Sequence, residues 1–187
     1  MNILITGNKG FVGSALQKRL EKLGHNIHGI DIKDGSQFDL LHYINWPKEI
    51  DLVIHLAGKS GVRESHKDPA SYWFHNVEAS RKLFERYADT RIIYASSSTA
   101  YEPDLNPYAA SKYVLEELAE RYPNTLGMRF HTVYSADCPR ENMFFKKLFN
   151  GTLEYTTKHY RDFVHLEDVL DAIEILIVKD HVKGVLD

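Results

Sequence analysis

Residues Ile5–Leu16 read ITGNKGFVGSAL, with glycines at positions 7, 10 and 13. The apolar run Ile3–Thr6 precedes them and Phe11, Val12, Ala15 and Leu16 follow, so the glycines sit between a strand and a helix. Glycine weakens both kinds of element, so three at one junction indicate that side chains must be absent there. A dinucleotide-binding turn needs that absence three times: for the tight turn, for the approach of a pyrophosphate to the backbone, and for close packing of helix on strand. The helix start then offers unpaired N–H groups and a positive dipole end to the phosphates. Asp31 ends the next apolar run, 18 positions beyond Gly13, where a carboxylate reaches the adenosine ribose hydroxyls. A GxxxxGK[ST] phosphate loop is excluded, because Lys9 precedes its glycine and no Lys-Ser follows Gly13. A carboxylate at 31 repels the 2′-phosphate of NADP and favours NAD, while Lys9 and Lys33 are nearby cations that leave NADP open.

Outward from this turn, apolar runs alternate with amphipathic segments. Strands are expected at Asn26–Asp31, Asp51–Leu56, Arg91–Ser96 and Thr125–His131, and helices at Phe11–Leu23, Ala70–Tyr87, Pro107–Tyr122 and Leu166–Val178. The alternation predicts an α/β fold, a doubly wound parallel sheet of Rossmann type with right-handed crossovers. The segment Asp34–Ile50 is too short for a full strand and helix, so a trimmed connection is expected there. Hydrophobic residues make up 43% and charged residues 26% of 187, as in soluble globular chains. A net charge of −3 gives no reason to expect nucleic acid or an anionic membrane as partner. The single cysteine, Cys138, rules out an intrachain disulfide and suits a reducing cytoplasm. No targeting segment and no apolar stretch near the ~20 residues of a membrane span is evident. Of ten histidines only His25 and His28 lie close together, so no metal site is expected.

A second pattern, NPYAASKYVLEELAERY, sets Tyr108 and Lys112 four residues apart, on one helical face. An ammonium beside a phenol stabilises the phenolate, which can then take a hydroxyl proton while hydride leaves the same carbon. Ser96, Ser97 and Ser98 end a strand ahead of this helix, on the side where parallel sheets hold their ligands.

Six blocks in order now define a resemblance. TGNKGFVG resembles the TGxxGxxG fingerprint, and Tyr108 to Lys112 the YxxxK motif, of the extended short-chain dehydrogenase/reductases. IHLAG (Ile54–Gly58), ASSSTAY (Ala95–Tyr101), GMRFHTVY (Gly127–Tyr134) and RDFVHLEDV (Arg161–Val169) resemble further blocks of the NAD-dependent nucleotide-sugar epimerase/dehydratase group. The resemblance implies a catalytic Ser97, with Ser96 and Ser98 one residue away, a base at Tyr108, and Lys112 holding phenolate and nicotinamide ribose. It places the cofactor on Gly7, Lys9, Gly10, Phe11, Val12, Gly13 and Asp31, with Asp39 and Leu40 at the adenine and Leu56, Ala57 and Gly58 lining the cleft. Arg63, Arg140 and Arg161 become candidate contacts to the substrate diphosphate or a sugar carboxylate.

Ser98 and Thr99 stand where dehydratases of the group carry Asp-Glu, and no cysteine lies in this stretch, which leaves the 4-epimerase pattern. GKSGVRES (Gly58–Ser65) followed by DPASYWFHNV resembles epimerases acting on UDP-glucuronate. The expectation is an NAD-dependent, cytoplasmic UDP-sugar 4-epimerase, with residues 1–134 binding NAD and 135–187 a reduced substrate portion packed on the same domain. Family members pair through the helices at Ala70–Tyr87 and Pro107–Tyr122, which implies a homodimer. The chain is shorter than the family's usual members, so a non-catalytic NAD-binding module and an NAD(P)H-consuming reductase stand as alternatives.

Overall fold

The computed structural model describes residues 1–187 apart from 137, 139–142, 155, 157 and 159. The chain runs β1 (Asn2–Thr6), α1 (Phe11–Lys22), β2 (Asn26–Ile30), β3 (Leu52–His55), α2 (Val62–Lys67) and α3 (Pro69–Trp73). A π turn at Phe74–Glu78 continues α3 into α4 (Ala79–Arg86). Then come β4 (Arg91–Ser97), α5 (Pro107–Ala119), β5 (Thr125–Phe130), β6 (Thr132–Tyr134), α6 (Phe144–Phe149), β7 (Phe163–His165), α7 (Leu166–Val178) and β8 (Gly184–Leu186). Six strands form one parallel sheet in the order β2-β1-β3-β4-β5-β8, and β6 and β7 pair separately.

Side chains of successive strand residues point to opposite faces, and both faces here are apolar. Ile3, Ile5, Leu52, Ile54 and Ile93 meet Leu16 and Leu20 of α1 and Ile173 of α7. Leu4, Val53, Ile92 and Tyr94 meet Leu83 and Phe84 of α4 and Leu115 of α5. Burial on both faces stabilises a parallel sheet, at roughly 1.5–3 kcal/mol for each fully buried large aliphatic side chain. Helix α7 and strand β8 share these layers, since α7 packs on the first core cluster and β8 pairs with β5. Arg91 ties that end down: its Nη1 donates to the carbonyls of Asp180 and Val182, and its Nη2 to those of Leu176 and Lys179. A cation there also meets the negative end of the α7 dipole.

The connection from β2 to β3 is trimmed as expected. It contains only two 3₁₀ turns, Ile32–Asp34 and Ser36–Phe38. Phe38 stacks on Tyr43, Tyr43 meets Trp46 edge-on and Trp46 meets Tyr87 edge-on, with centroid spacings of 5.9, 5.0 and 6.0 Å, which fastens this segment to the end of α4. The expected helix Ala70–Tyr87 is a helical rod from Pro69 to Arg86, interrupted by the π turn. Asp68 caps it by accepting from the Ser71 N–H, and Asn106 caps α5 by accepting from Ala109; Pro at the first helical position follows both caps.

Candidate functional site

The order of strands reverses at β1, because β2 lies on one side of it and β3 on the other. Such a switch point opens a crevice beyond the carboxyl ends of the strands. The glycine turn follows β1, Asp31 follows β2, Leu56–Gly58 follow β3 and Ser97 ends β4, so the expected site residues collect along one edge.

Each glycine has a separate cause. Gly7 has φ +74°, and a Cβ there would lie 2.7 Å from the Ala57 nitrogen. A Cβ on Gly13 would lie 2.2 Å from the Gly7 carbonyl oxygen, so α1 packs on the turn only without one. A Cβ on Gly10 would meet the protein only at that same oxygen, at 3.0 Å, and would otherwise project into open space. Gly10 begins α1 with no capping side chain, and the first turn of α1 carries no acidic residue. Its N–H donors and dipole end are thus available to an anion. Phe11 and Val12 pack against the core beneath it.

Asp31 is buried, and its carboxylate accepts from the backbone N–H groups of Lys9 and Lys33, each at 2.9 Å. An ionised carboxylate has about four acceptor positions, so capacity remains for ribose hydroxyls. Both nearby lysines are engaged: Lys9 pairs with Asp34, and Lys33 Nζ donates to the Lys9 carbonyl at 2.7 Å. A 2′-phosphate would therefore meet two carboxylates and two cations already held. Asp31→Asn is expected to weaken NAD binding about tenfold, one charged hydrogen bond's worth, and to narrow the preference over NADP. Calorimetry with each cofactor reads both effects. Asp39 accepts from the Leu41 N–H at 3.1 Å and faces His42 and His75 at 3.8 and 3.9 Å, with Leu40 buried next to it.

Where α5 meets the end of β4, Lys112 is buried and its Nζ donates to the Ala95 carbonyl at 2.7 Å. Desolvation lowers its pKa to about 8, against the opposing pull of Glu116. Tyr108 lies one turn earlier on α5, half-buried, with its ring edge-on to Tyr72 at 6.1 Å. Ser97 is buried at the end of β4 and accepts from Thr99 Oγ1 at 2.9 Å. Its neighbour Ser96 donates instead to Glu116, which gives that hydroxyl a structural partner.

Asn76, within the π turn, was not singled out from the sequence. It is buried, accepts from the Lys59 N–H at 2.7 Å, and donates to the Lys59 carbonyl at 3.0 Å and to Ser111 Oγ at 2.9 Å. It thus joins the loop after β3 to the helix carrying Tyr108. Behind it, Ser80 Oγ donates to the Asn76 carbonyl and meets His55 Nε2, both at 2.8 Å, while His55 Nδ1 meets Thr6 Oγ1 at 2.6 Å. Burial, with Lys112 nearby, lowers the His55 pKa to about 3, so the ring is neutral. Pairing with Thr6 and Ser80 gives this histidine a structural role, and among the described residues no cluster of three ligand side chains suits a metal.

The arginines are placed differently. Arg63 is exposed on α2 and Arg161 is exposed just before β7, while Arg140 lies outside the described residues.

The sequence profile of the NAD dependent epimerase/dehydratase family matches residues 3–185. The chain belongs to this family. Protein CapI of Staphylococcus aureus is 29% identical over 96% of this chain and 70% of its own length. The uncharacterised UDP-glucose epimerase YtcB of Bacillus subtilis is 29% identical over 98% and 75%. Among solved structures, MoeE5 in complex with UDP-glucuronic acid and NAD superposes with a TM-score of 0.86 at 30% identity, over all of this chain and 75% of that one. The UDP-glucuronic acid 4-epimerase from Bacillus cereus, in complex with UDP-glucuronic acid and NAD, gives 0.82 at 26%, over 100% and 76%. The CapI alignment spans 234 positions against a chain of 187 residues, so at least 47 of that relative's residues fall between residues of this member of the family. Among the described residues no helix is long and apolar enough to cross a membrane.

Proposed function

We propose that this chain is an NAD-dependent nucleotide-sugar 4-epimerase acting on a UDP-hexose or UDP-hexuronate. Residues 1–134 hold the cofactor and 135–187 supply the sugar side. The observation that carries the reading is the buried Lys112, fixed to the Ala95 carbonyl beside Ser97 and one helical turn from Tyr108. The uncapped glycine turn and Asp31 fit the pyrophosphate and adenosine ribose of NAD. Asp39, Leu40, Leu56, Ala57 and Gly58 complete its cleft, and Arg63, Arg140 and Arg161 are the candidate clamps for the substrate's anionic groups.

Bound NAD supplies a hydride acceptor and donor at the sugar C4. Ser97 hydrogen-bonds the C4 hydroxyl and orients it. Tyr108 takes the hydroxyl proton as phenolate, and the Lys112 ammonium lowers the cost of that charge. The 4-keto sugar then presents its other face, and Tyr108 returns the proton to the oxygen as the new stereocentre forms. Ser98 and Thr99 offer no acid to protonate a leaving hydroxyl, so the cycle contains no dehydration.

Proton NMR of the protein with NAD and a panel of UDP-, dTDP- and GDP-sugars tests this reading. Inversion at C4 without net loss of NAD is the expected result. Saturable NAD binding with no conversion of any sugar would favour the second reading, a cofactor-binding module, which the 47 or more residues present only in the relative support. We also propose a homodimer through α3–α4 and α5, for which light scattering should give about twice 21.6 kDa.

A further inference from the structure

Glu116 continues the spacing of Tyr108 and Lys112 by one more turn of α5, yet no step of the proposed chemistry uses it. It is buried, and both its oxygens are occupied. Oε1 accepts from Ser96 Oγ and from Arg129 Nε at 3.0 Å, and Oε2 accepts from Arg129 Nη2 at 2.7 Å. Arg129 on β5 lies with its guanidinium carbon 4.1 Å from the centre of the Tyr101 ring, and the Tyr101 hydroxyl donates to Asp187. Three consecutive residues at the end of β4 thus have three fixed tasks. The Ala95 carbonyl receives Lys112, the Ser96 side chain is held by Glu116, and Ser97 bears the expected catalytic hydroxyl.

We propose that Glu116 is the positioning residue for Lys112: it fastens α5 to the end of β4 one turn beyond the lysine and places a carboxylate behind the lysine's ammonium. Replacing a buried ion pair whole by apolar side chains is often near neutral for stability, so stability alone does not account for the Glu116–Arg129 pair; its carboxylate spans the two elements that must set Ser97 against Tyr108. The groups around Lys112 are His55 from β3, Asn76 from the π turn, the Ala95 carbonyl from β4, Tyr108 and Glu116 from α5, and Arg129 of β5 behind Glu116. His55 is neutral and Asn76 uncharged, so Glu116 supplies the attraction that opposes desolvation of the ammonium.

The role rests on the epimerase reading for its consequence in turnover, but its test needs no sugar. NMR of ¹³C-labelled lysine follows the Lys112 titration, assigned by its loss in Lys112→Met. The wild-type midpoint should lie at about 8. In Glu116→Gln the carboxylate is lost and Arg129 stays, so the midpoint should fall by about one unit or more. In Arg129→Gln the competing cation is lost, and the midpoint should rise. Turnover should fall about tenfold in Glu116→Gln with KM within about threefold, as misplacement of a reacting group predicts, and its alkaline limb should move to lower pH. A folded Glu116→Gln with an unmoved Lys112 midpoint overturns the proposal; so does a fall in the Arg129→Gln midpoint, should Glu116→Gln fail to fold. Shifted midpoints in a protein that converts no sugar would retain the proposal and sink the epimerase reading alone.

Discussion

Tyr108→Phe is expected to bind NAD with wild-type affinity and to lose sugar turnover by about a thousandfold, within the range that removal of a general base produces. Affinity should hold because the proposed phosphate and adenosine contacts, the glycine turn after β1 and Asp31 after β2, stand on other elements than α5, which carries Tyr108. The fold should hold because Phe keeps the ring that packs edge-on against Tyr72. Lys112→Met should behave differently. It removes both the charge that stabilises the phenolate and the bond to the Ala95 carbonyl, so NAD affinity and turnover should fall together. Initial rates by NMR and calorimetric NAD titration separate the two. A Tyr108→Phe protein that epimerises at more than a tenth of the wild-type rate would falsify the assignment of the base.

The second large effect concerns the turn itself. Gly13→Ala sets a Cβ 2.2 Å from a carbonyl oxygen of the backbone, and Gly7, which bears that oxygen, is itself fixed against Ala57 and Leu56. Neither partner is a flexible side chain, so α1 must move off the turn. A loss of roughly 1–3 kcal/mol or more in stability is expected from such overpacking, together with loss of NAD binding. Gly10→Ala is the contrasting case. Its Cβ meets the protein only at that same oxygen, at 3.0 Å, which needs to give by no more than a few tenths of an ångström, so melting should fall less than in Gly13→Ala while NAD binding still falls, because the methyl group enters the space proposed for phosphate. Equal melting and equal NAD affinity in Gly13→Ala and wild type would refute the stated cause of that glycine. A large loss of stability in Gly10→Ala would show that this glycine serves the turn and not the ligand.

How far the sequence disclosed these features depends on the range of the forces involved. Helix α7 was legible to the residue, Leu166–Val178, because its apolar spacing is local. The glycine turn between β1 and α1 and the placement of Tyr108 and Lys112 one turn apart on α5 were legible for the same reason: their signals are local in sequence. The interruption of the Pro69–Arg86 rod was hidden, since the residues that hold Asn76 are Lys59 and Ser111, 17 positions before it and 35 after it. Glu116 was read as part of an amphipathic helix; the partners that give it meaning, Ser96 and Arg129, stand on two separate strands. Lys9 and Lys33 looked like free cations, although Asp34 and a backbone carbonyl engage them in the folded chain. Short elements such as α2, β6 and β8 carry too few residues for any period to emerge.

The π turn at Phe74–Glu78 has a consequence for change over time. One residue beyond regular helical spacing rotates everything before it by about 100° relative to everything after. Upstream, Tyr72 is turned toward Tyr108; within the turn, Asn76 faces the loop after β3; downstream, Leu83 and Phe84 are turned into the core. A single rod is thereby divided into two stretches with separate facings, one toward Tyr108 of the proposed site and one into the second core cluster. Deleting one residue between 74 and 78 would restore regular helical spacing and give up this independence: with Leu83 and Phe84 kept in the core, Tyr72 would turn away from Tyr108.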